Sequence, residues 1–449
     1  MEQPVATPES MPDGSSTTST PPEPQPITAT LDPPVTPPTS TPVPPPTSPA
    51  RPPAPTPDSA CAVAPEGVRT IERPMFPNQP DSPTFGLSFK VYPGTDPAGP
   101  AVIFLTGGPG EAEIGTEREA DGLPETFTWI ETDLRGIGCN APPSPDYYPD
   151  AFYGTVNFAD DVLAIVKELK LTNYLIQAVS YGTELATVIA SRAEAQGAVP
   201  PKALVLEGVL GRAFETDEDV EAGYLEGWDA TKGRLPEDIR SQLEADPLPL
   251  GLSAEQWGGA LETLLTIGAT PIDGGPYADY RLSALDAGAS DEARAELREF
   301  IIAVSGSLVD DFGRRLFVEV ACRELSEDNF LGAELRAGAF VPTDPVCADQ
   351  AVDAAFAAAD WPVTVPIYYY SGTADPATPP WQADAHFAAE TGAPRHLMRL
   401  ARAGHNAFSV NLDDCKPALW QAMASNMGYR EAADTCSWDF ELSEADPDL

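Results

Sequence analysis

From Ala101 onward the chain alternates short, continuous apolar runs with amphipathic helical segments, and this rhythm narrows the architecture more than any other feature. AVIFL (Ala101 to Leu105) ends in the turn TGGPG, and FTWIETDLRG repeats the design, a strand that stops at an acidic loop. FADDVLAIVKELKL places Val162, Ile165, Val166 and Leu169 at helical spacing, with Asn157 or Asp160 available near its start as a cap. NYLIQAVS reads as the next strand, TELATVIASRAEAQ as a helix and KALVLEGV as a further strand. Strands joined through helices in this order pair in parallel, because the crossover returns the chain to the same end of the sheet, and the helices cover both faces.

Between Ala213 and about Gln350 the rhythm breaks into mainly helical sequence, such as AEQWGGALETLLTI with Trp257, Leu261, Leu264 and Leu265 on one face. It then resumes: VPIYYYSG is a strand, PPWQADAHFAAETG a helix, RHLMRLARAG a strand and DCKPALWQAMASNMG a helix. Ahead of the rhythm, TFGLSFKVYP alternates in the manner of an antiparallel edge strand. The pattern predicts one α/β domain over 61–212 and 351–449, interrupted by a helical cap over 213–350. The first 60 residues hold 20 of the 51 prolines and few large apolar side chains, so they read as a disordered, partly polyproline-II tether.

The formal charge is −43, and only about five of those charges fall in the first 60 residues, so the folded part is itself strongly acidic. A nucleic-acid partner is excluded on that ground, since phosphate binding needs a basic face. No run approaches the roughly 20 apolar residues that span a bilayer. MEQPVATPES shows neither the basic nor the apolar region of a signal peptide. The six cysteines, Cys61, Cys139, Cys322, Cys347, Cys415 and Cys436, form no C-x-x-C pair, and with three histidines in the chain neither a metal site nor a cofactor is expected. Disulfides are the better reading, with buried reduced thiols of a cytosolic protein as the alternative. Six cysteines allow 15 pairings. Joining near neighbours gives Cys322 with Cys347 and Cys415 with Cys436, which leaves Cys61 for Cys139. A Pro/Thr-rich tether before such a domain suggests a secreted or envelope-anchored protein.

In a parallel sheet the carboxyl ends of the strands share one edge, where ligands and catalytic groups gather. TGGPG, Ser180, Asp375 and His405 each follow a predicted strand. Ser180 lies in QAVSYGTELA, an elbow of the Gly-x-Ser-x-Gly type in which Ala178 replaces the first glycine and Gly182 keeps the second. His405, in the loop ARAGHNAF, is placed to act as general base, whereas His386 sits inside a helix and His396 near a strand start. Asp375, in SGTADPATPP, is the candidate to fix the histidine tautomer. Backbone N–H groups of Tyr181 and of Gly107 or Gly108 are the candidate oxyanion donors. Each residue alone has an ordinary structural reading; their order, Ser then Asp then His, is what favours catalysis.

Together these residues resemble the proline iminopeptidase and tripeptidyl aminopeptidase branch of serine α/β hydrolases. The motifs are GGPG at 107–110, D-x-R-G-x-G from Asp133 to Gly138, V-S-Y-G-T from Val179 to Thr183, G-x-x-D-P-x-T-P from Gly372 to Pro379, and Gly404-His405, spread over about 300 residues in family order. The resemblance implies an α/β-hydrolase fold, a mostly parallel sheet with helices on both faces and an inserted helical cap after KALVLEG. It also implies release of residues from free peptide N-termini, with cap carboxylates receiving the ammonium. Glu324, in VEVACRELSEDNF, is the candidate for that role and Asp328 the second choice. The chain departs from the pattern at Thr106, where His is frequent, at Leu134 and Asn140, where Gln and Ser are usual, and at Ala178. The expectation is a secreted serine hydrolase acting as an aminopeptidase through an acyl-enzyme, on a peptide or small acyl substrate. An esterase or amidase, or a non-catalytic binding protein on the same fold, are the alternatives.

Overall fold

The computed structural model of the protein describes residues 67–77, 79, 81–114, 122–214, 220–267, 277–305, 310–326, 330–347, 351–352 and 354–445. The expected tether, Cys61 and Asp328 lie outside them. The elements begin with β1 (Val68–Pro74), β2 (Thr84–Tyr92), β3 (Ala101–Leu105), β4 (Thr128–Thr132), α1 (Thr155–Leu169), β5 (Tyr174–Val179), α2 (Tyr181–Arg192) and β6 (Leu204–Glu207). After the insertion come β9 (Ile367–Gly372), α9 (Pro380–Ala389), β10 (Arg395–Leu400), α10 (Ala407–Asn411), α11 (Lys416–Ser425), α12 (Tyr429–Ala433) and β11 (Phe440–Ala445). The insertion between β6 and β9 contains α3 (Val220–Arg234), α4 (Glu237–Leu243), α5 (Ala254–Ile267), α6 (Tyr277–Leu282), α7 (Asp291–Val304), α8 (Asp311–Glu324), β7 (Phe330–Arg336) and β8 (Ala339–Pro345).

Among the described residues nine strands form one sheet in the order β1-β2-β4-β3-β5-β6-β9-β10-β11. The run β4-β3-β5-β6-β9-β10 is parallel, and β1, β2 and β11 are antiparallel to their neighbours. TFGLSFKVYP is therefore not the edge: β1 pairs outside it from Val68↔Lys90 to Pro74↔Thr84. The central strands are buried on both sides, as their unbroken apolar runs require. Alternate residues feed two cores. Ile103, Ile176, Leu204 and Tyr369 pack with α1, α2 and α9, while Val102, Leu175, Val205 and Tyr370 pack with α10, α11 and α12.

Helix α1 starts at Thr155, before either residue expected to cap it. Asn157 turns its amide back onto the carbonyls of 151, 152 and 153, and Asp160 is bound by Arg192 at 2.8 Å. The cap comes instead from far along the chain, where Glu324 accepts the Thr155 N–H at 3.2 Å.

The insertion is mainly helical, and Trp257, Leu261, Leu264 and Leu265 are buried in a third apolar cluster with Tyr224, Trp228, Ile239, Leu297 and Ile301. It also holds the antiparallel hairpin β7–β8, which contributes Leu335 and Phe340 to that cluster. Helix α8 behaves differently: Leu316, Phe317, Val320, Ala321 and Cys322 join the core under α1 and α2. Cys322–Cys347 and Cys415–Cys436 are disulfides, and Cys139 is also disulfide-bonded. No helix among the described residues is long and apolar enough to cross a membrane.

Candidate active site

Ser180 occupies the turn between β5 and α2 with φ 55° and ψ −127°. A positive φ on a residue with a Cβ is held only where neighbours over-determine it. Here the Ser180 N–H donates to the Glu207 carbonyl at 3.0 Å, and the Ser180 carbonyl accepts the Thr183 N–H at 2.8 Å and the Thr183 hydroxyl at 2.7 Å. Gly182 is sterically required, since a Cβ there would lie 2.4 Å from the Leu105 carbonyl oxygen. Ala178 is a strand residue paired with Leu105 and Leu206 and fully buried, a position where one methyl is accommodated. The loop after β3 passes so close that a Cβ on Gly107 would sit 2.8 Å from that of Ser180. Asp133 holds the far end of this loop by accepting the N–H groups of Glu113 and Ile114 at 2.6 and 2.9 Å, and it also accepts that of Cys139 at 2.7 Å. Arg135, two residues on, is buried in a bidentate pair with Asp161, both contacts 2.8 Å.

His405 and Asp375 are in contact. Nδ1 of the imidazole lies 2.9 Å from Oδ2 of Asp375. An ionised carboxylate only accepts hydrogen bonds, so Nδ1 carries the proton and Nε2 of the neutral ring is the acceptor. Asp375 is fixed in turn by the N–H groups of Ala377 and Thr378 at 2.9 and 3.0 Å and by the Thr378 hydroxyl at 2.6 Å. The His405 N–H donates to the carbonyl of Thr266 in α5 at 2.8 Å. Burial on its own would lower the histidine pKa, but the charge and hydrogen bond of Asp375, with added fields from Glu207 and Glu111, raise it above 6.5. Gly208, at φ +55°, lies flat against the ring: a Cβ there would be 2.6 Å from Cε1. Ser180 and His405 thus flank one dipeptide, Glu207-Gly208, although among the described residues no hydrogen bond joins the Ser180 hydroxyl to the imidazole. Such bonds are often made only when substrate is seated.

Residues 100–263 match the family model described as alpha/beta hydrolase fold, a stretch that runs from the start of β3 into α5. The chain has the α/β-hydrolase fold. No curated protein matches the sequence of this hydrolase. Solved structures similar to it include the proline iminopeptidase of Mycobacterium smegmatis, at 16% identity over 82% of this chain and 100% of that one, TM-score 0.41. Another is MGS-M2, an alpha/beta hydrolase enzyme from a Medee basin deep-sea metagenome library, at 11% identity over 76% and 93% of the two chains, TM-score 0.42. An alpha/beta hydrolase fold protein from Nakamurella multipartita matches at 16% identity over 80% and 98%, TM-score 0.40.

Of the sequence-predicted site residues of the hydrolase, Ser180 and Tyr181 share one strand-end turn with Gly107 packed against it, Gly108 follows Gly107 in the loop after β3, and His405 and Asp375 form a bonded pair. Glu324 is elsewhere. Its oxygens take the N–H and hydroxyl of Thr155, whose Oγ is also 2.6 Å from the Tyr181 hydroxyl, so it supports the underside of the nucleophile turn. Beside it is Glu184, buried on α2, whose carboxyl is held well above 4.5 by burial and then by the charge and hydrogen bond of Glu324. Sequence reasoning missed Glu184 and Glu207, which lie inside the helix TELATVIASRAEAQ and the strand KALVLEGV with no local motif to mark them. It also missed Glu111, which accepts the Thr106 hydroxyl at 3.1 Å, and Glu262, one turn before Thr266 on α5, which burial raises to about 7. Among the described residues no three His, Cys, Asp or Glu side chains are grouped to hold a metal ion.

Proposed function

We propose that this hydrolase is a serine peptidase that releases residues or short peptides from free amino termini, with Ser180 as nucleophile, His405 as general base and Asp375 as its orienting acid. The observation that carries the reading is a serine at φ 55° on a strand-end turn beside an imidazole bonded at 2.9 Å to a buried carboxylate. His405 Nε2 takes the hydroxyl proton as Ser180 Oγ attacks the peptide carbonyl. The developing oxyanion is met by the N–H of Tyr181, which as the first residue of α2 has no intrahelical acceptor, and by that of Gly107 or Gly108. Collapse breaks the C–N bond, the imidazolium protonates the leaving amine, and water hydrolyses the acyl-enzyme by the same proton relay.

Support for an amino-terminal specificity is the motif resemblance. Glu324 serves that role less directly, because Thr155 occupies both its oxygens. Glu262, on α5 one turn before the Thr266 whose carbonyl accepts the His405 N–H, is a second candidate, its carboxyl raised to about 7 by burial. The disulfides Cys322–Cys347 and Cys415–Cys436 support an oxidising location, hence a secreted or envelope-attached enzyme. The test compares turnover of a peptide amide with a free amino terminus and of its acetylated twin, with Ser180→Ala as control. Preference for the free amine, lost in Ser180→Ala, is the expected result. Equal rates remove the aminopeptidase reading in favour of a general amidase or esterase, and an unaffected Ser180→Ala removes the serine mechanism.

A further inference from the structure

Glu207 ends β6 and is 1% exposed, a costly place for a carboxylate unless every lone pair is used. It is fully engaged. Oε2 accepts the N–H groups of Phe408 and Ser409 at 3.0 and 2.9 Å, and Oε1 accepts the Ser409 hydroxyl and, at 3.4 Å, the Gln177 side-chain amide. Phe408 and Ser409 form the first turn of α10, which begins two residues after His405. The main chain of the same residue takes the Ser180 N–H at 3.0 Å, and the next residue, Gly208, abuts the His405 ring.

We infer that Glu207 is a positioning residue that sets the distance between nucleophile and base, its carbonyl holding the turn of Ser180 and its carboxylate holding the segment that carries His405. The inference rests on the serine hydrolase reading above. It differs from a packing role because the carboxylate also acts on the imidazole through its charge. The charged groups acting on His405 are Asp375 from the loop after β9, Glu207 from β6 and Glu111 from the loop after β3. Thr378 contributes its hydroxyl at 3.1 Å, and α5 contributes the neutral Thr266 carbonyl.

Glu207→Gln keeps an acceptor for the α10 amides but removes the charge, whereas Glu207→Ala removes both. The full-length chain and both variants are titrated with a fluorophosphonate from acidic to alkaline pH, Ser180 labelling is followed by mass spectrometry, and kcat and KM are measured on the preferred substrate. Glu207→Ala is expected to slow labelling and kcat by about 10- to 100-fold with KM little changed. Glu207→Gln is expected to recover most of that rate, and in both variants the acid limb of the labelling profile moves to lower pH. Labelling rates and acid limbs in both variants equal to the parent's overturn the inference. Should Glu207→Ala fail to fold, the limb of Glu207→Gln decides alone, and an unmoved limb overturns it. A parent that does not label at Ser180 overturns the serine reading and this inference with it.

Discussion

Gly208→Ala is the sharpest test of the geometry, because it adds one methyl and removes no polar group. At φ +55° an alanine costs about 1–2 kcal/mol of backbone strain. Its Cβ would lie 2.6 Å from Cε1, 2.7 Å from Nδ1 and 3.1 Å from Nε2 of His405, whereas ordinary contact begins at 3.4 Å. The ring must therefore retreat by 0.8 Å, the difference between 3.4 and 2.6 Å, and the 2.9 Å bond to Asp375 stretches or tilts with it. A misplacement of about 1 Å costs on the order of 100-fold in rate. Steady-state kinetics on the best substrate should show kcat down by about that factor, while circular dichroism and a thermal melt show the fold retained with a modestly lowered midpoint. A variant that keeps more than about a third of the parental kcat would refute the placement of His405 as the base beside Gly208.

Three further outcomes follow from the same structure. In its proposed role as a neutral base, with a pKa raised above 6.5, His405 should make kcat/KM fall with acidification along a limb centred above 6.5, measured from pH 5 to 9; a limb below 6.5 contradicts the assigned field. Glu184 has a folded pKa raised well above 4.5, so its stabilising contribution is present below 4.5 and lost as pH rises towards the folded value; urea unfolding at pH 5 and 8 should show Glu184→Gln with a smaller loss than the parent. Removing Cys415–Cys436, which closes a separation of 21 residues, by a double Ser substitution should destabilise by about 3 kcal/mol, read as a lowered unfolding midpoint without reductant.

The parallel strands were legible because burial on both faces demands unbroken apolar runs such as AVIFL and IYYY. Outer strands escaped for the complementary reason. VRTIERP carries Arg69, Glu72 and Arg73, FELSEA carries Glu441 and Glu444, and both strands are only partly buried, so no apolar run marks them. The hairpin β7–β8 turns through Ala337 and Gly338, both at positive φ, 47° and 74°; alanine gives no signal of such a turn where asparagine would have done. At the site, Ser180, Asp375 and His405 declared themselves by following strands in order. Glu207 and Glu184 did not, since the groups that give them meaning, Ser409 and Glu324, are remote in sequence and brought near by the sheet and by α8. The cap of α1 failed for the same reason: a local rule was overridden by a carboxylate 169 positions away.

The hydrogen bond from the His405 main chain to Thr266 ties the insertion to the chemistry. Any displacement of α5 would unfasten the backbone that carries the His405 imidazole, so the position of this helix and the aim of the ring are set together.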